Sequence, residues 1–197
     1  MTSHSSKRKM RKGEMTEPFF DYFAYGSCMC PVDLKRSLGE NTHPYILGPA
    51  TLHGYRLGFY FHFPRRNCGV LDIVEDPHSK VEGVLYRLPL RLSDRLDKRE
   101  EGYRHEYVAV QQGDRQFTNV RTYTVEEGRS LREYAPNDWY FSVVMRGAVT
   151  CGLPEQYCWK LFHHMHQLQQ REGRCPPAEV TGVENLRSSP LQLKIRA

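Results

Sequence analysis

Two adjacent carboxylates, Glu100 and Glu101, stand at the end of the segment Leu96-Asp97-Lys98-Arg99-Glu100-Glu101-Gly102-Tyr103. In a helix, Glu100 lies one turn after Leu96 and shares its apolar face, whereas Glu101 is rotated by about 100°. A carboxyl group in an apolar pocket has a raised pKa and can exchange protons near neutral pH. The segment therefore predicts a general acid/base, although a charged surface turn would show the same residues.

A second candidate is the turn that ends the aromatic segment Phe23-Ala24-Tyr25-Gly26-Ser27. A strand that ends in Gly-Ser exposes consecutive backbone N–H groups, and glycine lets a ligand approach the main chain closely. Such a turn can bind a carboxylate or stabilise an oxyanion. An ordinary strand-to-loop turn has the same composition, so the motif alone leaves both interpretations open.

The sequence gives weaker support for a metal site, a serine nucleophile or a nucleotide cofactor. Cys28-Met29-Cys30 and the helix-spaced pair His163 and His166 contain metal-ligating residue types. No second pair with zinc-ligand spacing accompanies them, so we expect no metal site. The sequence contains no GxSxG elbow, Walker A motif or GxGxxG motif, which removes the usual sequence signals for a serine nucleophile or a nucleotide cofactor.

Strands come first along the chain and helices gather at its C-terminal end. Aromatic and β-branched composition predicts strands over 19–25, 52–63, 69–74, 81–88, 106–111 and 119–125. Asp76-Pro77-His78-Ser79 predicts a turn between the third and fourth of these, and Gly54 and Gly58 predict bulges. Helices are predicted over 31–38, 92–99 (with Ser93 as N-cap), 139–151 and 154–170, and a short strand over 191–195. This order favours an α+β fold with a small mixed, barrel-like sheet and flanking helices.

Composition and charge limit the function classes. The chain has 197 residues and a net charge of +5, but residues 1–15 carry five basic side chains and one acidic one. The rest is nearly neutral, so we expect no nucleic-acid partner. No apolar run approaches the ~20 residues of a membrane span, and no apolar segment follows the basic residues as in a secretory signal. We therefore expect a cytoplasmic protein whose six cysteines are thiols.

Residues 1–17 are predicted to be a disordered leader, 18–170 the domain and 171–197 a C-terminal extension.

Three motifs in order resemble the gamma-glutamylcyclotransferase family. Phe23-Ala24-Tyr25-Gly26-Ser27 is similar to that family's FAYGSN opening, and Leu96-Asp97-Lys98-Arg99-Glu100 matches its LDxxE. Pro136-Asn137-Asp138-Trp139-Tyr140, continued through Gly147-Ala148 to Gly152-Leu153-Pro154, resembles its PSPxY…GA…GLP stretch. Val81-Glu82-Gly83-Val84-Leu85-Tyr86 also fits the strand before the glutamate helix. The matches span about residues 20–161.

The resemblance implies a small barrel whose mouth holds the site, and an enzyme that cyclises a small-molecule γ-glutamyl substrate to 5-oxoproline without a cofactor. It assigns the catalytic glutamate to Glu100, with Glu101 as the alternative because Glu101 stands where the family usually has glycine. It assigns substrate binding to Tyr25, Gly26, Ser27, Cys28 and Met29 in the turn, and to the tyrosines Tyr107, Tyr123 and Tyr140. Cys28 replaces the family's common asparagine.

Two alternatives stay open at this point. The same fold could serve as a non-catalytic module that binds a small ligand, because a fold does not guarantee an activity. In the predicted loop 63–68, Arg65 and Arg66 could hold a substrate carboxylate, or both could simply be solvated. The sequence predicts no oligomeric state.

Overall fold

Five strands form a closed barrel in the computed structural model, which describes residues 17–173. They are β1 (Phe19–Ala24), β2 (Ile46–Phe63), β3 (Cys68–Pro89), β4 (Tyr103–Gln112) and β5 (Arg115–Val125). The order around the barrel is β1-β3-β2-β4-β5. All pairs are antiparallel except the parallel pair β1–β5, which closes the barrel where Tyr22 pairs with Arg121. The predicted α+β fold with a small mixed barrel is therefore confirmed.

The strands β2 and β3 form the long central hairpin of the barrel. The predicted turn at 76–79 does not divide β3, because β3 pairs with the same neighbour on both sides of it. Lys80 pairs with His53 and Glu75 with Tyr55, so the four residues 76–79 bulge out opposite Gly54. The turn chemistry is present locally, since Asp76 accepts hydrogen bonds from the His78 amide and the Ser79 hydroxyl. The bulges predicted at Gly54 and Gly58 are confirmed by register shifts at both places.

Four helices follow or connect the strands: α1 (Pro31–Leu38), α2 (Ser93–Arg99), α3 (Asp138–Thr150) and α4 (Glu155–Arg171). The position of α3 is set by Asn137, whose side chain accepts a hydrogen bond from the Tyr140 amide at 2.9 Å. The prediction that Ser93 caps α2 is wrong. Ser93 is already the first helical residue, and its hydroxyl accepts a hydrogen bond from the Arg121 guanidinium at 2.7 Å.

The helix α3 packs directly against the turn that follows β1. A Cβ atom added to Gly147 would lie 2.5 Å from the Cys30 backbone nitrogen and 2.7 Å from the Met29 carbonyl carbon. Real Cβ atoms do not approach so closely, so only glycine at this position permits the contact. Gly147 therefore lets α3 hold the turn in place at the end of β1.

Within residues 17–173, no helix is long and apolar enough to cross a membrane. Five of the predicted thiols lie in this part of the chain, and all five are free of disulfide bonds: Cys28, Cys30, Cys68, Cys151 and Cys158. The predicted leader over residues 1–16, the extension beyond residue 173 and the strand at 191–195 lie outside the described residues. The domain boundaries stay predictions.

Candidate active site

A cavity of about 150 Å³ opens where the turn after β1 meets the end of α2 and the start of α3. This volume can hold a small ring molecule, since an engineered cavity of similar size binds benzene. Its lining combines seven aromatic residues with polar groups. The lining residues are Tyr22, Tyr25, Gly26, Ser27, Cys28, Phe63, Arg66, Cys68, Val70, Leu71, Arg99, Glu100, Glu101, Tyr103, Tyr123, Trp139 and Tyr140.

Glu100 is the partly buried carboxylate of this cavity. It directly follows α2, where its backbone N–H donates to the Leu96 carbonyl at 3.0 Å, and Leu96 is itself fully buried. The carboxylate oxygen Oε1 accepts a hydrogen bond from the Cys28 thiol at 2.8 Å. Burial raises the pKa of Glu100, while the nearby Arg99 and the thiol hydrogen bond oppose the rise. The group is thus set to exchange a proton at a higher pH than an ordinary glutamate.

Glu101 lies at the opening of the cavity rather than inside it. Its side chain is 67% exposed, and Oε2 lies 3.4 Å from the Arg65 guanidinium. The two adjacent carboxylates therefore differ in solvation, because the rotation from one residue to the next turns Glu101 out to the solvent. This geometry favours Glu100 over Glu101 as the group that exchanges protons with a bound ligand.

Arg99 connects the turn after β1 to α1, a role that the sequence alone did not predict. Its guanidinium donates to the Cys28 sulfur at 2.9 Å and to the Ser27 hydroxyl at 3.2 Å. It also forms an ion pair of 2.6 Å with the buried Asp33 and donates to the Ser37 hydroxyl. The charge of Arg99 therefore holds the residues around Glu100 in position.

The turn itself contributes backbone groups. Tyr25 donates its hydroxyl hydrogen to the Tyr123 carbonyl at 2.5 Å, which ties the turn to β5. Residues Ser27–Met29 form one 3₁₀ turn, and the first N–H groups of such a turn have no partner within it. The Met29 amide is different because it donates to the Gly26 carbonyl at 3.0 Å. The amides of Gly26, Ser27 and Cys28 are therefore the ones that a ligand could use.

The structure places most, but not all, of the predicted binding residues at the cavity. Tyr25, Gly26, Ser27, Cys28, Tyr123 and Tyr140 line it. Met29 does not, since its side chain is fully buried in the core. Tyr107 does not either: it is 57% exposed, because the alternation of β4 points Val108 and Val110 inward and Tyr107 outward.

Two further tyrosines of the cavity were missed. Tyr22 lies beside Glu100, where its hydroxyl hydrogen bond helps to stabilise the carboxylate. Tyr103 donates its hydroxyl hydrogen to the Leu71 carbonyl at 2.8 Å. Tyr103 stands within the glutamate segment, so its proximity in sequence to Glu100 was a usable signal. For Tyr22 the aromatic composition of β1 gave no indication of which ring reaches the site.

No group of three or more histidine, cysteine or acidic side chains in residues 17–173 is arranged to hold a metal ion. The histidines considered in the sequence analysis instead make ring contacts on α4. His166 stacks on Phe162 with centroids 5.9 Å apart, and His163 contacts the rings of Trp159 and Phe162.

Comparison with known proteins supports the relationship that the motifs suggested. Residues 80–161 match the model of the AIG2-like family. The protein YkqA of Bacillus subtilis, named provisionally as a gamma-glutamylcyclotransferase, is 34% identical over 151 residues, which cover 75% of this chain and 52% of YkqA. The crystal structure of YkqA superimposes with a TM-score of 0.70 at 31% identity, covering 78% of this chain and 56% of that one. The chain thus spans about half the length of YkqA.

Two other solved structures align with this chain over most of their own length. The human protein loc79017, described as uncharacterised, is 26% identical with a TM-score of 0.62, over 73% of this chain and 86% of that one. A structure named gamma-glutamyl cyclotransferase is 23% identical with a TM-score of 0.63, over 84% of this chain and 92% of that one. The resemblance stated from the motifs is therefore confirmed.

Proposed function

We propose that this chain, which has the fold of the gamma-glutamyl cyclotransferases, cyclises a γ-glutamyl amide or peptide to 5-oxoproline and releases an amine or amino acid. The observation that carries the proposal is the partly buried carboxylate of Glu100. It faces a cavity of suitable size, beside a turn whose first amides are available to a ligand.

The proposed reaction uses a nucleophile that belongs to the substrate. The α-amino nitrogen of the glutamyl group attacks its own γ-carbonyl carbon, so that a C–N bond forms and closes a five-membered ring. The tetrahedral intermediate then collapses, the original amide C–N bond breaks, and the leaving nitrogen gains a proton. Such a reaction requires no catalytic serine, metal or redox cofactor. The protein has to orient the flexible chain, move one proton and stabilise the oxyanion.

Glu100 is the group proposed to move the proton. As a carboxylate it takes a proton from the attacking amine, and as a carboxylic acid it then gives that proton to the leaving nitrogen. A positioned general acid/base of this kind contributes roughly 10²–10⁴-fold to the rate. A raised pKa suits both halves of the cycle, because a general acid/base works best when its pKa lies closer to neutral pH than that of an ordinary glutamate.

The amides of Gly26, Ser27 and Cys28 are the proposed donors to the oxyanion that forms on the γ-carbonyl oxygen. They surround the same cavity as Glu100, and the turn is held by Arg99 and by α3, so it need not reorganise during the reaction. Each donor in such a site contributes on the order of 3 kcal/mol to stabilisation of the transition state.

The test is release of 5-oxoproline by the purified protein from a panel of γ-glutamyl amino acids, γ-glutamyl peptides and γ-glutamyl amines. We expect Glu100→Gln to keep the fold and to lose at least 10²-fold in turnover. Glu101→Gln is the matched variant one residue away, and we expect it to retain most of the activity. If Glu101→Gln is inactive and Glu100→Gln is active, the proton transfer belongs to Glu101.

A substrate with an acetylated α-amine separates cyclisation from hydrolysis. Its nitrogen cannot attack the γ-carbonyl, so the proposed reaction predicts no product from it. Release of N-acetylglutamate would show that water is the nucleophile and would contradict the proposal. A folded protein that binds γ-glutamyl compounds but releases no 5-oxoproline would be a binding module instead.

A further inference from the structure

A second cleft adjoins the cavity on the side of α1. It is lined by Asp33, Arg36, Ser37, Arg66, Arg99, Asn137 and Trp139. Arg66, Arg99 and Trp139 also line the cavity that contains Glu100, so the two spaces share a wall. Below, this space is called the arginine cleft. Its volume of about 570 Å³ exceeds that of the cavity and leaves room for the part of a substrate beyond the glutamyl group.

The arginine cleft carries positive charge that the protein does not neutralise. Three arginines face one acidic residue, Asp33, which is already paired with Arg99 at 2.6 Å. None of the ion pairs within residues 17–173 involves Arg36 or Arg66. The neighbouring Arg65, by contrast, lies 3.4 Å from Glu101. Two guanidinium groups are thus available to an anionic ligand in this cleft.

Arg66 is held in a defined position. Its guanidinium carbon lies 4.6 Å from the centroid of the Trp139 ring, in a cation–π contact. Its carbonyl accepts a hydrogen bond from the Asn137 side-chain amide at 3.1 Å, and the same side chain caps α3. Stacking occupies the face of a guanidinium but leaves its N–H edge for hydrogen bonds, and that edge matches a carboxylate bidentately.

We propose that the arginine cleft binds the leaving group of the substrate, and that Arg66 and Arg36 recognise a carboxylate on it. The inference rests on the proposed function, since it needs the glutamyl group to occupy the cavity beside Glu100. It narrows the substrate class to γ-glutamyl amino acids or peptides with a free carboxylate, and it disfavours γ-glutamyl amines.

Two substrates that differ only in this carboxylate provide the test: γ-glutamyl-L-alanine and γ-glutamyl-ethylamide. The wild-type protein is expected to turn over the alanine compound with a kcat/KM at least about tenfold higher, as a charge-assisted hydrogen bond implies. Arg66→Gln and Arg36→Gln are each expected to reduce that ratio several-fold, by lowering kcat/KM for the alanine compound and leaving the ethylamide unchanged. The loss should fall mainly on KM, because the carboxylate does not take part in the bond changes.

Arg65→Gln is the matched control, since it removes the same charge from the same 3₁₀ turn outside the arginine cleft. The substrate ratio should stay at the wild-type value in this variant. Equal rates for both substrates in the wild type, or an equal loss on both substrates in Arg66→Gln, would overturn the inference and leave the proposed function standing. If neither substrate yields 5-oxoproline, the proposed function fails and the inference with it.

Discussion

The thiol of Cys28 donates a hydrogen bond to Oε1 of Glu100 across 2.8 Å, and the two residues are 72 positions apart in the chain. Burial raises the pKa of Cys28 to about 12, so the sulfur keeps its proton at neutral pH and acts as a donor. A donor at this position stabilises the ionised form of the carboxyl group, whereas burial of Glu100 favours the neutral form. The pKa of the proposed acid/base thus reflects a balance to which Cys28 contributes.

This balance predicts the pH dependence of activity. The acid limb of kcat/KM should lie above the ordinary glutamate pKa of about 4.3, because burial raises the pKa of Glu100. Cys28→Ala removes the donor and should move the limb to still higher pH. Cys28→Ser keeps a donor, and its limb should stay nearer to that of the wild type. A pH–rate series on the three proteins measures this, and a limb unmoved in Cys28→Ala would contradict the role given to the thiol.

The same burial predicts that Glu100 lowers the stability of the fold at neutral pH. Since the folded-state pKa is raised, the stability that the group contributes is fully present below the unfolded-state pKa of about 4.3. That contribution is lost as the pH rises through the folded-state pKa. We therefore expect Glu100→Gln, which stays neutral, to unfold at a higher urea concentration than the wild type at pH 7.

Urea denaturation at pH 7 and pH 4 provides the measurement, and the difference between the two proteins should shrink at the lower pH. A variant less stable than the wild type at pH 7 would show that the attraction between Glu100 and Arg99 outweighs burial. Glu101→Gln serves as the control, because its side chain is mainly exposed and its stability should change little.

Gly147→Ala tests the contact between α3 and the turn. The added methyl group would meet the backbone of Met29 and Cys30, which cannot move aside as a flexible side chain could. We expect a loss of about 1–3 kcal/mol in the free energy of unfolding together with a loss of activity, because the displaced turn carries the proposed oxyanion donors. Val149→Ala, at an exposed position of the same helix, should stay within about 0.5 kcal/mol of the wild type. Normal turnover in Gly147→Ala would show that the proposed oxyanion donors do not depend on the contact between the turn and α3.

Tyr140→Phe removes a buried hydrogen-bond acceptor at the wall of the cavity. The Leu71 amide donates to the Tyr140 hydroxyl at 3.1 Å, and its N–H would be left unsatisfied. The expected cost is about 1–3 kcal/mol of folding stability, measured by chemical denaturation. Tyr107→Phe alters a mainly exposed side chain outside the cavity, whose hydroxyl forms a hydrogen bond with Arg121, and should leave turnover near the wild-type value. A loss of turnover in Tyr107→Phe would support the role that the family resemblance assigned to that tyrosine.

The sequence predicted correctly those features of the site that depend on local periodicity, namely which side chains point inward. The spacing from Leu96 was enough to place Glu100 on the inward face and Glu101 on the outward one. Alternation along β4 could likewise have excluded Tyr107, since the neighbouring Val108 and Val110 mark the inward face. Arg99 was missed because a basic residue at a helix end usually meets solvent, and its partner Asp33 lies 66 positions away.

The predicted turn at 76–79 failed for a related reason. Asp76, Pro77 and Ser79 favour a local reversal, and they do leave the pairing with β2. After residue 79 the chain pairs with β2 again instead of pairing with another strand. This outcome depends on the register of β2, in which Gly54 stands opposite the bulge. That information lies about twenty residues upstream, outside any local pattern.

The parallel closure of the barrel has a consequence for the order in which the protein acquires its structure. The strands β2 and β3 meet across a short connection, where Phe63 pairs with Cys68, so little chain entropy opposes their association. The pairing of Tyr22 with Arg121, and the bond from Tyr25 to Tyr123, instead join segments nearly one hundred residues apart. Such distant pairings are slow to form. We therefore expect a refolding chain to gain its central hairpin first, and to become catalytically competent only when the first strand docks against the last.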